Sequence, residues 1–260
     1  MSNEPVPIRP AATILLVRDD PEFQVLMVKR HHQIDFASGA LVFPGGKTHQ
    51  GDHDPSWVRH AAGWEAAPAD ERALRIAAIR EVYEEAGVLL ARTPSGEIFH
   101  GDDRLGPARE AVAKDERSFI GLVSELGVLL DLNALTTFAR WITPAMMHKR
   151  FDTWFYLAQA NSEQLAVCDG WETVDAEWIA PGEAIRLAAA GERTVIFPTR
   201  MNLQLLAEAK SGADAVARAN SRTLVPVLPV VEAREGGSVL VIPADAGYGE
   251  VVEPLAAIRA

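Results

Sequence analysis

The chain has 260 residues, 48% hydrophobic and 23% charged, which is enough to bury one sizeable core and too apolar for a disordered tract. Its 36 acidic residues against 25 basic ones give a net charge of -11, which argues against a general nucleic-acid binder and means that an anionic substrate needs local cations. A lone cysteine, Cys168, excludes an intramolecular disulfide and a cysteine-based zinc cluster. No apolar run approaches the ~20 residues that cross a bilayer, and Met1 to Pro10 lacks the pattern of a secretory signal, so a cytoplasmic protein with no membrane partner is expected.

Residues 11–17 and 23–29 are β-rich apolar runs around Asp19-Asp20-Pro21 and predict two strands joined by a turn. Pro44-Gly45-Gly46 predicts a loop whose backbone can approach a ligand closely. From Asp52 to Pro68, Trp57 and Trp64 stand among small and turn-forming residues, which predicts an ordered insert. A helix follows from Asp70, as N-cap, to Gly87, as left-handed C-cap. Residues 108–126, with Phe119, Ile120, Leu122 and Val123, read as helix. Strands are predicted near 138–143, 151–159 and 172–179, then helices from Pro181 to Gly191 and from Thr199 to Lys210. Two apolar runs, 223–231 and 238–243, flank Gly236-Gly237 and predict a hairpin. The expected division is thus a domain over 1–212 and a C-terminal extension over 213–260, with no internal repeat.

The helix 70–87 carries the strongest chemical signal. At 100° per residue, Glu81, Glu84 and Glu85 fall within an arc of about 100°, with Arg80 beside Glu84. The opposite arc carries Ile76, Ile79, Val82, Tyr83 and Ala86, so one buried apolar face and one acidic face are expected. Like charges one turn apart destabilise an isolated helix by roughly 0.2–0.5 kcal/mol per pair, and a bound cation would reverse that. Three glutamates on a helix are ordinarily a solvated face; Gly46, Arg80 and Gly87 at matching positions weigh against that here.

Gly46, Asp52 and the run Arg80 to Val88 resemble the signature of the Nudix hydrolases, G-x5-E-x7-R-E-U-x-E-E-x-G-U with U apolar. The second half matches at every defined position. In the first half Asp52 replaces Glu, and 27 residues separate it from Arg80 where the signature has 7. This interruption, with Trp141-Ile142-Thr143-Pro144 and Arg150-Phe151-Asp152-Thr153, resembles one branch of the family, that of the mammalian peroxisomal coenzyme A diphosphatase and its bacterial relatives.

The resemblance implies an α/β/α sandwich around a mixed sheet, with an insert at about 53–72 inside the signature. It implies Mg²⁺ or Mn²⁺ held by Glu81, Glu84, Glu85 and the Gly46 carbonyl, with Arg80 bracing the glutamates by ion pairing. The nucleophile would be a water activated by the metal, and its base Glu81 or, second, Glu172, six residues before Trp178. The implied partner is a small-molecule nucleoside diphosphate conjugate, foremost coenzyme A or an acyl derivative, cleaved to adenosine 3',5'-bisphosphate and a 4'-phosphopantetheine. Arg150 would contact a phosphate, and Trp141 or Phe151 would stack on adenine. ADP-ribose or dinucleotide hydrolysis is the second reading and a non-catalytic nucleotide sensor the third; the intact glutamates speak against the sensor. A homodimer is a further implication of the family.

Other patterns carry less. Gly45-Gly46-Lys47-Thr48 lacks the upstream glycine of a phosphate-binding Walker loop, where Leu41 stands instead. His49 and His53 are four apart, but Gly51 disfavours a helix that would pair them on a metal. Cys168 reads as a small packing residue. Core packing is the ordinary role for Trp141, Phe151, Trp154 and Phe155 in strands, surface ion pairing for Arg150, and an exposed strand end for Glu172.

Overall fold

The computed structural model describes residues 6–30, 39–160, 173–235 and 237–255. The run Ala11–Val17 is continuously apolar because its strand is covered on both sides: Ala12, Ile14 and Leu16 enter one core, Leu15 and Val17 the other. This strand, β1 (Ile8–Arg18), is central to a mixed sheet. It pairs in parallel with β9 (Arg150–Gln159), which pairs with β8 (Thr136–Ile142). On its other side lie β2 (Gln24–Arg30) and then β10 (Thr173–Ile179), both antiparallel.

Along β1, β2 pairs only at Val17 and Arg18, and the short β4 (Gly45–Lys47) takes over at Ala11, Ala12 and Thr13; β3 (Leu41–Val42) pairs with β2. The expected loop at 44–46 is therefore partly strand. The reason is steric: a side chain on Gly45 would stand 2.5 Å from Thr13 Oγ1 and 2.6 Å from the Ala12 carbonyl oxygen, so only glycine lets this segment lie against β1.

One face of the sheet is covered by α1 (Arg72–Ala86), α2 (Leu105–Ala113) and α3 (Phe119–Leu126), with a small sheet of β5 (Ala61–Ala62), β7 (Leu129–Asp131) and β6 (Ala91–Arg92). The other face is covered by α4 (Pro181–Ala189), α5 (Phe197–Leu206) and α6 (Gly212–Ser221). The layering is the α/β/α sandwich around a mixed sheet that the sequence led us to expect. No helix among the described residues is long and apolar enough to cross a membrane.

The helix expected over 108–126 is two helices, α2 and α3, because the chain breaks at Asp115, whose φ of 57° is left-handed. The expected boundary at 212/213 falls at the start of a helix. Gly212 is the first residue of α6, whose Ala215 and Ala219 pack in the same core as α5, so no linker separates the two parts. The expected hairpin is present as β11 (Val230–Arg234) and β12 (Gly237–Val241), with β13 (Val252–Pro254) added as a third strand. Val227, Leu240 and Ile242 bury this extension in the core of the α4–α6 face.

The insert is ordered throughout. Residues Gln50–His53 and Pro55–Arg59 form 3₁₀ turns that lead into β5. Trp57 is buried with its ring 5.7 Å from that of Phe119, and its indole N–H donates to the Gly51 carbonyl at 2.9 Å. Trp64 is half-buried beneath the Arg72 guanidinium.

Candidate active site

Helix α1 has its acidic side enclosed by strand β4 and the turn at residues 50–53, so that side is not solvated. Its start differs from expectation: Glu71, not Asp70, precedes the first turn, and it has helical backbone angles and no side-chain cap. Its carboxylate is used elsewhere, accepting from Arg75 at 2.8 and 3.1 Å. The end matches expectation, since Gly87 adopts φ 74° and its N–H closes on the Tyr83 carbonyl at 2.9 Å. Tyr83 is itself buried, its hydroxyl donating to the Leu105 carbonyl at 2.7 Å, and burial pushes its pKa up to about 12. Arg109 of α2 donates to the Glu84 carbonyl at 2.7 Å and ties that helix to the last turn of α1.

The acidic residues are almost fully enclosed: Glu81, Glu84 and Glu85 are 5%, 8% and 5% exposed, Arg80 3% and Asp52 2%. Arg80 is the common partner of Asp52, Glu81 and Glu84. One terminal nitrogen, Nη1, reaches Glu81 Oε1 at 2.9 Å and Glu84 Oε2 at 3.0 Å. Nε and Nη2 fork onto the two oxygens of Asp52 at 3.0 and 3.1 Å, and Nη2 also reaches the Lys47 carbonyl at 2.9 Å. Burial alone would lower the guanidinium's pKa. The charge of Glu81, the hydrogen bond and charge of Asp52, and Glu84 outweigh it and raise the value above the ordinary range.

Asp52 therefore lies beside Arg80 despite the long gap between them. Its other bonds hold the turn that delivers it, for the His49 backbone N–H donates to Asp52 Oδ2 at 2.7 Å. His49 turns its ring toward Asp115, 3.7 Å away, and burial together with Arg80 lowers its pKa; His53 is exposed, and the two do not form a metal pair.

Strand β4 closes the site from the sheet side. The Gly45 N–H donates to Glu85 Oε2 at 3.1 Å. At Gly46 a Cβ would stand 2.4 to 2.6 Å from the carboxylate atoms of Glu81, so the backbone of Gly46 and the side chain of Glu81 occupy one small space. The structure thus brings together Gly46, Arg80, Glu81, Glu84 and Glu85. The donors are carboxylate and carbonyl oxygens, the hard set that suits Mg²⁺ or Mn²⁺. Among the described residues no three acidic, histidine or cysteine side chains form a ready-made cation cage. A cation here would rely on the backbone carbonyl, water and substrate oxygens as well, as magnesium does in phosphate-handling sites.

The other expected site residues that the structure describes engage other partners. Trp141 is buried on the opposite, α4–α6 face of the sheet, its ring against Phe197 and Tyr248 and its N–H donating to the Tyr248 hydroxyl at 3.0 Å. It packs in that core, and alternation along β8 sends its side chain away from α1. Phe151 is half-buried and held through its backbone to Thr143, whose hydroxyl accepts from its N–H at 3.1 Å. Arg150 donates from Nε to the Thr143 carbonyl at 3.1 Å, bracing the β8–β9 connection. Glu172 and Cys168 lie outside the described residues.

Asp52 is a site residue for which the sequence assigned no role, although the preserved spacing from Gly46 marked it. Glu71 and Arg75 gave no signal beyond ordinary helix-surface charge, yet both are buried.

The chain matches the family model of the NUDT19 Nudix domain over residues 60–204. It is 28% identical over 209 residues to the acyl-coenzyme A diphosphatase NUDT19 of Xenopus laevis, a match covering 63% of this chain and 54% of that protein. With the human acyl-coenzyme A diphosphatase NUDT19 it is 27% identical over 273 residues, covering 88% of this chain and 73% of the relative. The chain thus spans about half the length of the first of these relatives. Among solved structures, the crystal structure of a NUDIX hydrolase from Alicyclobacillus acidocaldarius superposes with a TM-score of 0.71 at 27% identity, covering 84% of this chain and 97% of that one. The family match runs through more than half of the chain, including all of α1, and so the chain belongs to the NUDT19 Nudix domain family of the Nudix hydrolases.

Proposed function

We propose that the chain is a diphosphatase that hydrolyses the phosphoanhydride of a nucleoside diphosphate conjugate, with coenzyme A or acyl-coenzyme A as substrate and adenosine 3',5'-bisphosphate and a 4'-phosphopantetheine as products. One observation carries the reading: Asp52, Glu81 and Glu84 share the single guanidinium of Arg80 in a buried site, with Glu85 alongside. Carboxylates gathered so closely in an enclosed site are the hard oxygen donors that a divalent cation takes. The printed names of the NUDT19 relatives support the substrate class.

In this reading Glu81, Glu84, Glu85 and the carbonyl of Gly46 hold Mg²⁺ or Mn²⁺, which when bound would polarise the phosphoanhydride and acidify a water. Arg80 does not touch substrate. It fixes Glu81 Oε1 and Glu84 Oε2 in place, and Asp52 fixes Arg80. Glu81, confined between Arg80 and the Gly46 backbone, takes the proton of the attacking water on its carboxylate. Glu172 remains the second choice for that role, and Arg150 and Phe151 remain proposed contacts for phosphate and adenine.

The test is incubation of the purified protein with Mg²⁺ and, separately, coenzyme A, an acyl-coenzyme A and ADP-ribose, with products identified by mass spectrometry. The expected outcome is 3',5'-bisphosphate release from the coenzyme A compounds. Cleavage of ADP-ribose alone would replace this substrate, and saturable binding with no cleavage of any of the three would make the protein a sensor.

A further inference from the structure

A cavity of about 200 Å³ lies away from α1, on the opposite face of the sheet between α5 and α6. Its lining combines apolar side chains, among them Phe138, Leu205, Leu206 and Ala215, with Arg218 and Arg222. The two arginines differ. Arg218 is ion-paired to Glu208 at 3.3 Å and to Asp214 at 3.2 Å. Arg222 has no carboxylate partner among the described residues. Its guanidinium lies over the Phe138 ring, 4.8 Å from the centroid, and Nη2 donates to the Phe138 carbonyl at 3.0 Å, but its Nε is buried with nothing to donate to. Burial disfavours this charge, lowering its pKa, and only the more distant Tyr248 and Glu208 act against that.

We propose that this cavity is a second binding site, for a small organic monocarboxylate whose carboxylate pairs with Arg222 and whose apolar part lies against Phe138, Leu205 and Leu206. The guanidinium supplies the ion pair, the charge-assisted contact that a carboxylate accepts. The size fits: an apolar cavity of about 150 Å³ takes benzene, so this one takes a short-chain or aromatic acid such as hexanoate or benzoate. The charge also selects. Glu208 lines the same cavity, which disfavours a dianion such as phosphate against a monocarboxylate. A smaller neighbouring void of about 20 Å³ also touches Arg222 and has room for one water, but a water leaves the charge uncompensated.

The experiment is isothermal titration of the full chain with hexanoate, with hexanol, hexylamine and inorganic phosphate as controls. Hexanoate should bind saturably and at least tenfold more tightly than any control. Arg222→Gln should weaken it at least tenfold with an unchanged far-UV spectrum. Ala209→Leu, which narrows the same cavity and leaves Arg222 in place, should weaken it comparably and serves if Arg222→Gln does not fold. Absence of saturable hexanoate binding, equal binding of hexanol, preference for phosphate, or undiminished binding by either folded variant would each overturn the proposal. Diphosphatase activity is not the readout, so the outcome stands apart from the function proposed for α1.

Discussion

Helix α1 carries two buried arginines less than two turns apart, and their surroundings are built on opposite plans. Arg75 is complete. Its guanidinium meets one carboxylate, Glu71, and spends its other donors on the Leu132 and Leu135 carbonyls at 3.2 and 2.6 Å and on Thr137 at 3.3 Å, with the Tyr156 ring 5.1 Å away. The same Glu71 oxygen accepts from the Tyr156 hydroxyl at 3.3 Å. One positive charge meets one negative charge, and the group needs nothing more. Arg80 gathers several carboxylates, with Asp52, Glu81 and Glu84 on one guanidinium among the described residues. Burial alone therefore does not distinguish a structural tie from the ion-accepting site proposed at Arg80; the number of carboxylates gathered on one guanidinium is what differs.

The strongest way to break this distinction is Glu85→Gln. Gln retains an acceptor for the Gly45 N–H, so the fold should persist, while turnover should fall by about 10³-fold or more, as expected when a group stabilising developing charge is removed. Undiminished turnover in a folded variant would remove the acidic helix from the catalytic site.

A paired comparison of stability comes next. Glu71→Gln leaves Arg75 buried without its counter-charge and should cost roughly 3–5 kcal/mol in denaturant unfolding. Glu84→Gln leaves Arg80 paired with Asp52 and Glu81 and relieves crowding, so without divalent ions it should be neutral or stabilising. If both variants lose stability equally, the two clusters are alike and the contrast fails.

Ion response separates the clusters directly. Saturating Mg²⁺ should raise the unfolding free energy of the wild-type chain by about 2.7 kcal/mol at a hundredfold excess over Kd. The gain should vanish in Glu84→Gln and survive Tyr156→Phe, read as Tm shifts with and without chelator.

The smallest effect is a pH dependence. Burial, with the Glu71 carboxylate, holds the Tyr156 pKa above its ordinary value of 10.0. The folded state then keeps a proton that the unfolded chain releases, so this contribution to stability is whole below pH 10 and is lost as pH rises above it. Tyr156→Phe should cost roughly 0.5–1.5 kcal/mol at neutral pH and flatten the alkaline decline. An unchanged alkaline slope would place the titrating group elsewhere.

Much of this was legible before any coordinates. Arg80, Glu81, Glu84, Glu85 and Gly87 occur at a spacing that only a helix turns into one face, and Gly46 marked where backbone must come close. The enclosure of that face was not legible, because it depends on strand β4 and the turn at residues 50–53 arriving from elsewhere. The Glu71–Arg75 tie was hidden for the same reason: its remaining partners, Leu132, Leu135, Thr137 and Tyr156, are 57 or more residues away. The face on which Trp141 packs was not legible either, because a strand's period of two gives each side chain a face without saying which face meets which layer. The break at Asp115 and the unity of α6 with the main core are likewise tertiary facts laid over a locally plausible pattern.

The anchoring of Trp57 reaches beyond this molecule. With that indole bolted into the interior beside Phe119 and tethered to Gly51, the stretch separating Asp52 from the helix is pinned near its beginning, and its length no longer governs where Asp52 sits. Relatives could gain or shed residues there and still deliver the acid to its arginine. A motif search demanding a fixed gap would pass over them, whereas a three-dimensional template of one glycine backbone, one guanidinium and four carboxylates would find them whatever the intervening count.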